Sequence, residues 1–194
     1  MTKSADNTEG SLTKEQKEIL VGTLLGDGAM RIKTNALLEI NHSLNQKELV
    51  DWLYLKFKNF VITPPKTRKG NGERIAYRFT TKSCKAFTNF YKKFFKNNHK
   101  IIPEKLKITP LTLAIWYMDD GSCCDKDIYL NTQQFSQENQ QKLCSLLQRQ
   151  HNIFATLNKD KIYTRIRIKK ESVNRFMNLI RDHVLPSFHY KLLI

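Results

Sequence analysis

Two short acidic endings carry the chemistry that this sequence offers. The nine residues Leu20-Val21-Gly22-Thr23-Leu24-Leu25-Gly26-Asp27-Gly28 have a counterpart at Leu113-Ala114-Ile115-Trp116-Tyr117-Met118-Asp119-Asp120-Gly121, so an apolar segment closing on Asp-Gly occurs twice in 194 residues. A carboxylate at the end of each of two similar helices can form a paired acidic site. Such a site suits symmetric, metal-assisted chemistry on a two-stranded substrate, because hard oxygen ligands hold a divalent cation that activates water. Asp119 rivals Asp120 as the acid of the second copy, and Asp120 is preferred because, like Asp27, it directly precedes the shared glycine.

The elements needed to position these acids are readable nearby. Thr13-Lys14-Glu15-Gln16 has the form of a capping box ahead of the apolar run Ile19 to Leu25. Thr109 and Pro110 provide an N-cap and a first helical residue for the second copy. Gly28 and Gly121 stop the two helices, Gly28 with a left-handed turn. The second helix has Ile115 and Asp119 where the first has Gly22 and Gly26, so close packing of the pair looks to Ala114 for space.

The segments after each helix repeat as well. Strands end at Leu38-Glu39-Ile40-Asn41 and at Ile128-Tyr129-Leu130-Asn131, and helical stretches come next at 46–60 and 136–150. Hairpin turns are expected at Lys69-Gly70-Asn71-Gly72 and Asn158-Lys159-Asp160, and further helices at 83–96 and 172–183. Asp27 and Asp120 lie 93 positions apart, Asn41 and Asn131 lie 90, Arg78 and Arg167 lie 89, and Pro103 and Pro186 lie 83. The expected organisation is a disordered 1–10, a first half-domain at 11–103 and a second at 104–194, with a basic connector near 99–107. The fold class is α+β, with two pseudo-symmetric αββαββα halves.

Thirty-three Lys and Arg against eighteen Asp and Glu give a net charge of +15, and the pI is about 9.7. A polyanionic partner is implied, held by salt-sensitive phosphate contacts. Alternation in Ile162 to Lys169 places Ile162, Thr164, Ile166 and Ile168 on a packing face, with Tyr163, Arg165, Arg167 and Lys169 opposite. In Arg74 to Thr80 the outward set is Arg74, Arg78 and Thr80. Strand ribbons bearing such residues can read the major groove. The expected binding surface also takes in Arg31, Lys33, Lys66, Arg68 and Lys69 in the first half. Gln133 and Lys161 join it in the second.

Other classes fall away. No apolar run reaches the roughly 18 residues of a membrane span, and the polar start has no signal-peptide core. Cys84, Cys123, Cys124 and Cys144 form no C-x-x-C pair, and the five histidines form no zinc-binding spacing, so the thiols are expected to be reduced and structural. Gly70-Asn71-Gly72 lacks the G-K-[ST] of a phosphate-binding loop.

Together these residues resemble the LAGLIDADG homing endonucleases, specifically the single-chain kind with two motif copies. The likeness covers the chain from about residue 18, and includes Lys100-Ile101-Ile102-Pro103, Leu130-Asn131-Thr132-Gln133 and Tyr190-Lys191-Leu192. The resemblance implies antiparallel sheets forming a DNA-binding saddle over a long specific duplex target, with the motif helices paired at the interface. It implies that Asp27 and Asp120 are catalytic metal ligands, assisted by the backbone carbonyls of Gly26 and Asp119. Lys100 and Lys191 would flank the cleavage centres, with Lys105 a rival for the first position, and Asn41 and Asn131 would order water or metal. It further implies Mg²⁺ as cofactor, Mn²⁺ as a substitute, and Ca²⁺ binding without efficient cleavage. The protein would be monomeric and encoded by an organellar, mitochondrial intron. Intron RNA binding as a maturase, or DNA binding as an inactive regulator, are the alternatives that the same surface allows.

Overall fold

The computed structural model describes residues 11–70 and 74–193, so the decapeptide expected to be disordered and the Asn71-Gly72 hairpin tip lie outside the described residues. The chain divides into two compact units. One takes the chain as far as Glu18 together with Gly28–Lys92, and the other takes Ile19–Asp27 and everything from Lys93 onward. Helix α1 (Lys14–Leu25) therefore begins in one unit and ends in the other. Its start is the expected capping box. The Thr13 amide donates to Gln16 Oε1 (3.0 Å), and the Gln16 amide donates to Thr13 Oγ1 (3.1 Å).

In the first unit, β1 (Ala29–Ile32), β2 (Ala36–Ser43), β3 (Lys66–Lys69) and β4 (Ile75–Thr80) form an antiparallel sheet in the order β1-β2-β4-β3. Helix α2 (Lys47–Lys56) packs on β2 and β4. Period-two alternation buries Met30, Leu38, Ile40, Tyr77 and Phe79, and leaves Arg31, Glu39, Asn41, Arg78 and Thr80 on the opposite face. Helix α3 (Lys85–Phe94) contributes Phe87, whose ring meets Phe60 edge-on at 5.2 Å. The helix ends two residues earlier than expected, because Asn97 and Asn98 take left-handed φ of 50° and 62° and fold β5 (Phe95–Lys96) onto β6 (His99–Lys100).

The second unit repeats the order. After α4 (Pro110–Asp120), strands β7 (Gly121–Cys124), β8 (Asp127–Leu130), β9 (Ala155–Asp160) and β10 (Tyr163–Ile168) form an antiparallel sheet ordered β7-β8-β10-β9. Helix α5 (Gln137–His151) covers β9 and β10. Helix α6 (Lys170–Ile180) packs on α4 and β8. Ser136 caps α5 by accepting the Asn139 amide, and Asn152 closes it in the left-handed conformation. Buried Ile128, Leu130, Leu143, Leu147, Ile166, Ile168 and Phe176 form the core under the sheet.

Several local expectations are corrected. The β9–β10 turn is at Lys161-Ile162, with Lys161 at φ 55°, so Asn158-Lys159-Asp160 belong to β9. Ile162 is therefore 84% exposed at the turn and does not join the packing face. Lys169 precedes α6 as its N-cap residue and is no longer strand. Gly121 ends α4 in an extended conformation, φ −89° and ψ 153°, and leads directly into β7. All four cysteines are free thiols, as expected. Among the described residues no helix is long and apolar enough to cross a membrane.

Candidate active site

The end of α1 and the end of α4 lie together within the second unit. Their contact is asymmetric. A Cβ added to Gly22 would stand 2.6 Å from the Thr112 carbonyl oxygen and 2.8 Å from Ile115 Cβ, and one added to Gly26 would fall on the Asp119 carboxylate. Each bulky residue of α4 thus sits against the glycine that occupies its own equivalent position on α1. Gly22 and Gly26 supply space for these side chains across the contact.

Asp119 is buried and Asp120 partly so, whereas Asp27 is exposed. Asp119 Oδ2 accepts the backbone N–H of Asp27 at 2.9 Å. Burial first, and then the charge of Asp27, push the Asp119 carboxyl up to about 8. Asp120 is also pushed to about 8, again by burial first, then by Asp27 and Asp119. A hydrogen bond from the Asn131 side chain opposes that shift. The Asn131 amide also donates to the Asp120 carbonyl at 3.0 Å, so the residue after β8 grips both ends of this aspartate.

Lys100 arrives on the β5–β6 hairpin, and its Nζ donates to the Gly26 carbonyl at 2.7 Å. Burial lowers its pKa, while Asp119, Asp27 and Asp120 pull it back up. Lys105, the rival position, is exposed. Lys191 ends the 3₁₀ run Pro186–Lys191 and is 9% exposed. Its Nζ donates to the carbonyls of Met118 and Gly121, each at 2.8 Å, and to that of Tyr117 at 3.4 Å. The Tyr117 hydroxyl returns a 2.7 Å hydrogen bond to the Lys191 carbonyl. Lys191 therefore satisfies the last carbonyls of α4, the groups a helix end leaves without intrahelical donors.

The remaining expected residues distribute over the sheets. Asn41 lies in β2, paired with Arg78 in the first unit. Arg31 is on β1, Lys33 follows it in a turn, and Arg74 precedes β4; all three are exposed. On β3, Lys66 and Arg68 pair with Arg78 and Ala76, while Lys69 pairs with Ile75 on the alternate phase. Gln133 is half-buried in the turn after β8. Arg165 and Arg167 share the open face of β10 with Tyr129 of β8, and the Arg165 guanidinium stacks over the Tyr129 ring at 3.9 Å. Sequence reasoning missed Gln134, whose Nε2 donates to the Leu25 carbonyl at 3.0 Å beside the acids. Its position directly after Gln133 was the only local signal.

Comparison with known proteins agrees with this arrangement. The profile described as the LAGLIDADG DNA endonuclease family matches residues 17–176. A probable intron-encoded endonuclease 1 of Wickerhamomyces canadensis is 31% identical, over 94% of this chain and 86% of that protein. A cytochrome b mRNA maturase bI2 of Saccharomyces cerevisiae is 30% identical, and the match covers 98% of this chain but 50% of the maturase. Among solved structures, the homing endonuclease I-WcaI bound to its DNA recognition sequence superposes with a TM-score of 0.88 at 31% identity. That match covers 95% of this chain and 88% of the other.

Proposed function

Since this chain belongs to the LAGLIDADG DNA endonuclease family, we propose that it is a monomeric, divalent-metal-dependent homing endonuclease that cuts both strands of a long, specific DNA duplex. The observation that carries the reading is the meeting of Asp27, Asp119 and Asp120 at the ends of two packed motif helices, with Lys100 at the Gly26 carbonyl. The donor set fits a hard cation. Carboxyls driven up by burial first and then by the charge of Asp27 are a site whose ionised form a divalent ion would stabilise.

Asp27 and Asp120, with the carbonyls of Gly26 and Asp119, would hold Mg²⁺, Mn²⁺ would substitute, and Ca²⁺ would bind without efficient turnover. When bound, the ion would supply Lewis-acid activation of water and offset charge on the attacked and leaving oxygens. Asn131 orients the Asp120 carboxylate, and Asp119 fixes the backbone that delivers Asp27. Lys100 places a cation among the acids, where it can stabilise charge on a scissile phosphate. Lys191 holds the α4 terminus in place and acts on the reaction through Asp119 and Asp120. Asn41 would order water in the first half.

Arg31, Lys33, Lys66, Arg68, Lys69, Arg74 and Arg78 would bind DNA in the half-domain at 11–103. Gln133, Lys161, Arg165, Arg167 and Lys169 would do so in the half at 104–194. The mitochondrion is the proposed host compartment, a reading supported by the likeness to a yeast intron-encoded endonuclease and a yeast cytochrome b mRNA maturase. Incubation with a randomised duplex library and Mg²⁺ tests the proposal: enrichment of one long site with cuts in both strands supports it, and no cleavage in any metal refutes it. The maturase relative favours a second reading, intron RNA binding. Tight intron binding without DNA cleavage would support that reading instead.

A further inference from the structure

Each sheet carries a carboxylate on the face that bears its arginines. In the first unit, Glu39 of β2 reaches two of them: Arg31 Nη2 forms an ion pair with Glu39 Oε2, and Arg78 Nη1 lies 3.8 Å from Glu39 Oε1. In the second, a single nitrogen of Arg167, Nη2, donates to both Asp127 oxygens, at 2.8 and 2.9 Å. Arg78 and Arg167 hold the same place in the internal repeat, but their acids do not. Glu39 lies two residues before Asn41, whereas Asp127 lies four residues before Asn131. The same pairing is therefore built twice from different positions.

Stability does not explain the Arg167–Asp127 pair. Exposed ion pairs contribute about 0–1 kcal/mol, and the Arg167 and Asp127 side chains are 34% and 21% exposed. What the pairs change is how an arginine meets a polyanion. A free guanidinium takes any phosphate, and this sequence-independent contact supplies most non-specific binding. A guanidinium already opposed by a carboxylate gains less from a lone phosphate. It still gains from a base edge offering two acceptors in a plane, the geometry of guanine O6 and N7. Arg167 keeps its Nη1 group for this, since Asp127 engages Nη2 and Nε is buried.

We propose that Glu39 and Asp127 are specificity-determining residues, each restraining and partly neutralising arginines of its sheet so that they respond to base edges more than to phosphate. This rests on the reading of the chain as a DNA endonuclease. Discrimination between duplexes then comes partly from acids that never touch the bases, by weakening every wrong contact.

Fluorescence anisotropy with Ca²⁺ present, on the selected cognate duplex and on an unrelated duplex across a salt series, tests this. Asp127→Asn and Glu39→Gln should tighten binding to the unrelated duplex roughly 3- to 10-fold, and steepen its log-log salt slope by about 0.9 for each phosphate newly engaged. The ratio of cognate to unrelated affinity should fall accordingly. In an Arg167→Ala background, Asp127→Asn should change neither quantity. Should Glu39→Gln fail to fold at its nearly buried site, Asp127→Asn carries the test. Unaltered slopes and ratios in Asp127→Asn, whether or not its melting temperature drops, would reduce the pair to an ordinary surface ion pair and overturn the proposal. A wild-type protein that prefers no duplex and cuts none would instead bring down the endonuclease reading, and this inference with it.

Discussion

The Asp119 carboxylate accepts the backbone N–H of Asp27 at 2.9 Å, so the acid next to the second motif's catalytic candidate holds the first motif's candidate in place. The two acidic endings are consequently not independent copies. One helix supplies the carboxylate that anchors the other's terminus, and Gly26 leaves the room for it.

Asp27→Asn and Asp120→Asn keep shape and hydrogen bonding but remove the charge that a cation needs. Each is expected to slow double-strand cleavage about 100-fold or more, the scale of losing one group that stabilises transition-state charge. Affinity for the target in Ca²⁺ should largely survive. Gel assays of nicked and linear product, beside anisotropy on the same duplex, check both parts; wild-type cutting rates in both variants would remove these acids from the site.

The two lysines should separate. Lys191→Met leaves the carbonyls of Met118 in α4 and Gly121 at the start of β7 without their buried donor, and is expected to cost about 1–3 kcal/mol in urea unfolding. Lys100→Met loses a contact to one carbonyl beside the acids and is expected to cost less than about 1 kcal/mol while slowing cleavage. Equal stability losses would contradict the division of roles.

Asp119 and Asp120 have folded-state pKa values near 8 against an ordinary 3.8. The folded protein thus holds protons that the unfolded chain has released. That stabilisation is complete below about pH 4 and is lost as pH rises through about 8. In EDTA, the melting temperature should fall across this window, and Asp119→Asn should flatten the fall. Scanning calorimetry of the two proteins at several pH values decides it, and parallel curves would show that Asp119 ionises normally.

Gly22→Ala would ordinarily gain about 1 kcal/mol of helix propensity. Here the added Cβ meets the Thr112 backbone carbonyl at 2.6 Å, and a backbone group cannot turn aside as a flexible side chain can. Overpacking is expected to win, with a net loss of about 1–3 kcal/mol by denaturant melts. A more stable variant would mean that the helices part easily.

Much of the scaffold was legible because its signals are local. The Thr13/Gln16 box and the Thr109 cap each involve residues three apart, and both formed. The second hairpin was misplaced because left-handed φ at Lys161, a residue with no turn preference, set the turn. The β5–β6 hairpin that presents Lys100 depends on two left-handed asparagines, Asn97 and Asn98, just past the expected helix end at 96. The acid–arginine pairs were invisible for another reason: they depend on strand register, which one residue of slippage would invert.

The fit of Gly22 to Ile115 and of Gly26 to Asp119 makes the motif contact heterologous, with a donor and an acceptor side. Two second halves brought together would set Ile115 against Ile115 and Asp119 against Asp119; two first halves would set glycine against glycine, without the Ile115 and Asp119 side chains that fill this contact. A chimera that exchanges one half should therefore import the matching partners at 22, 26, 115 and 119 as a set.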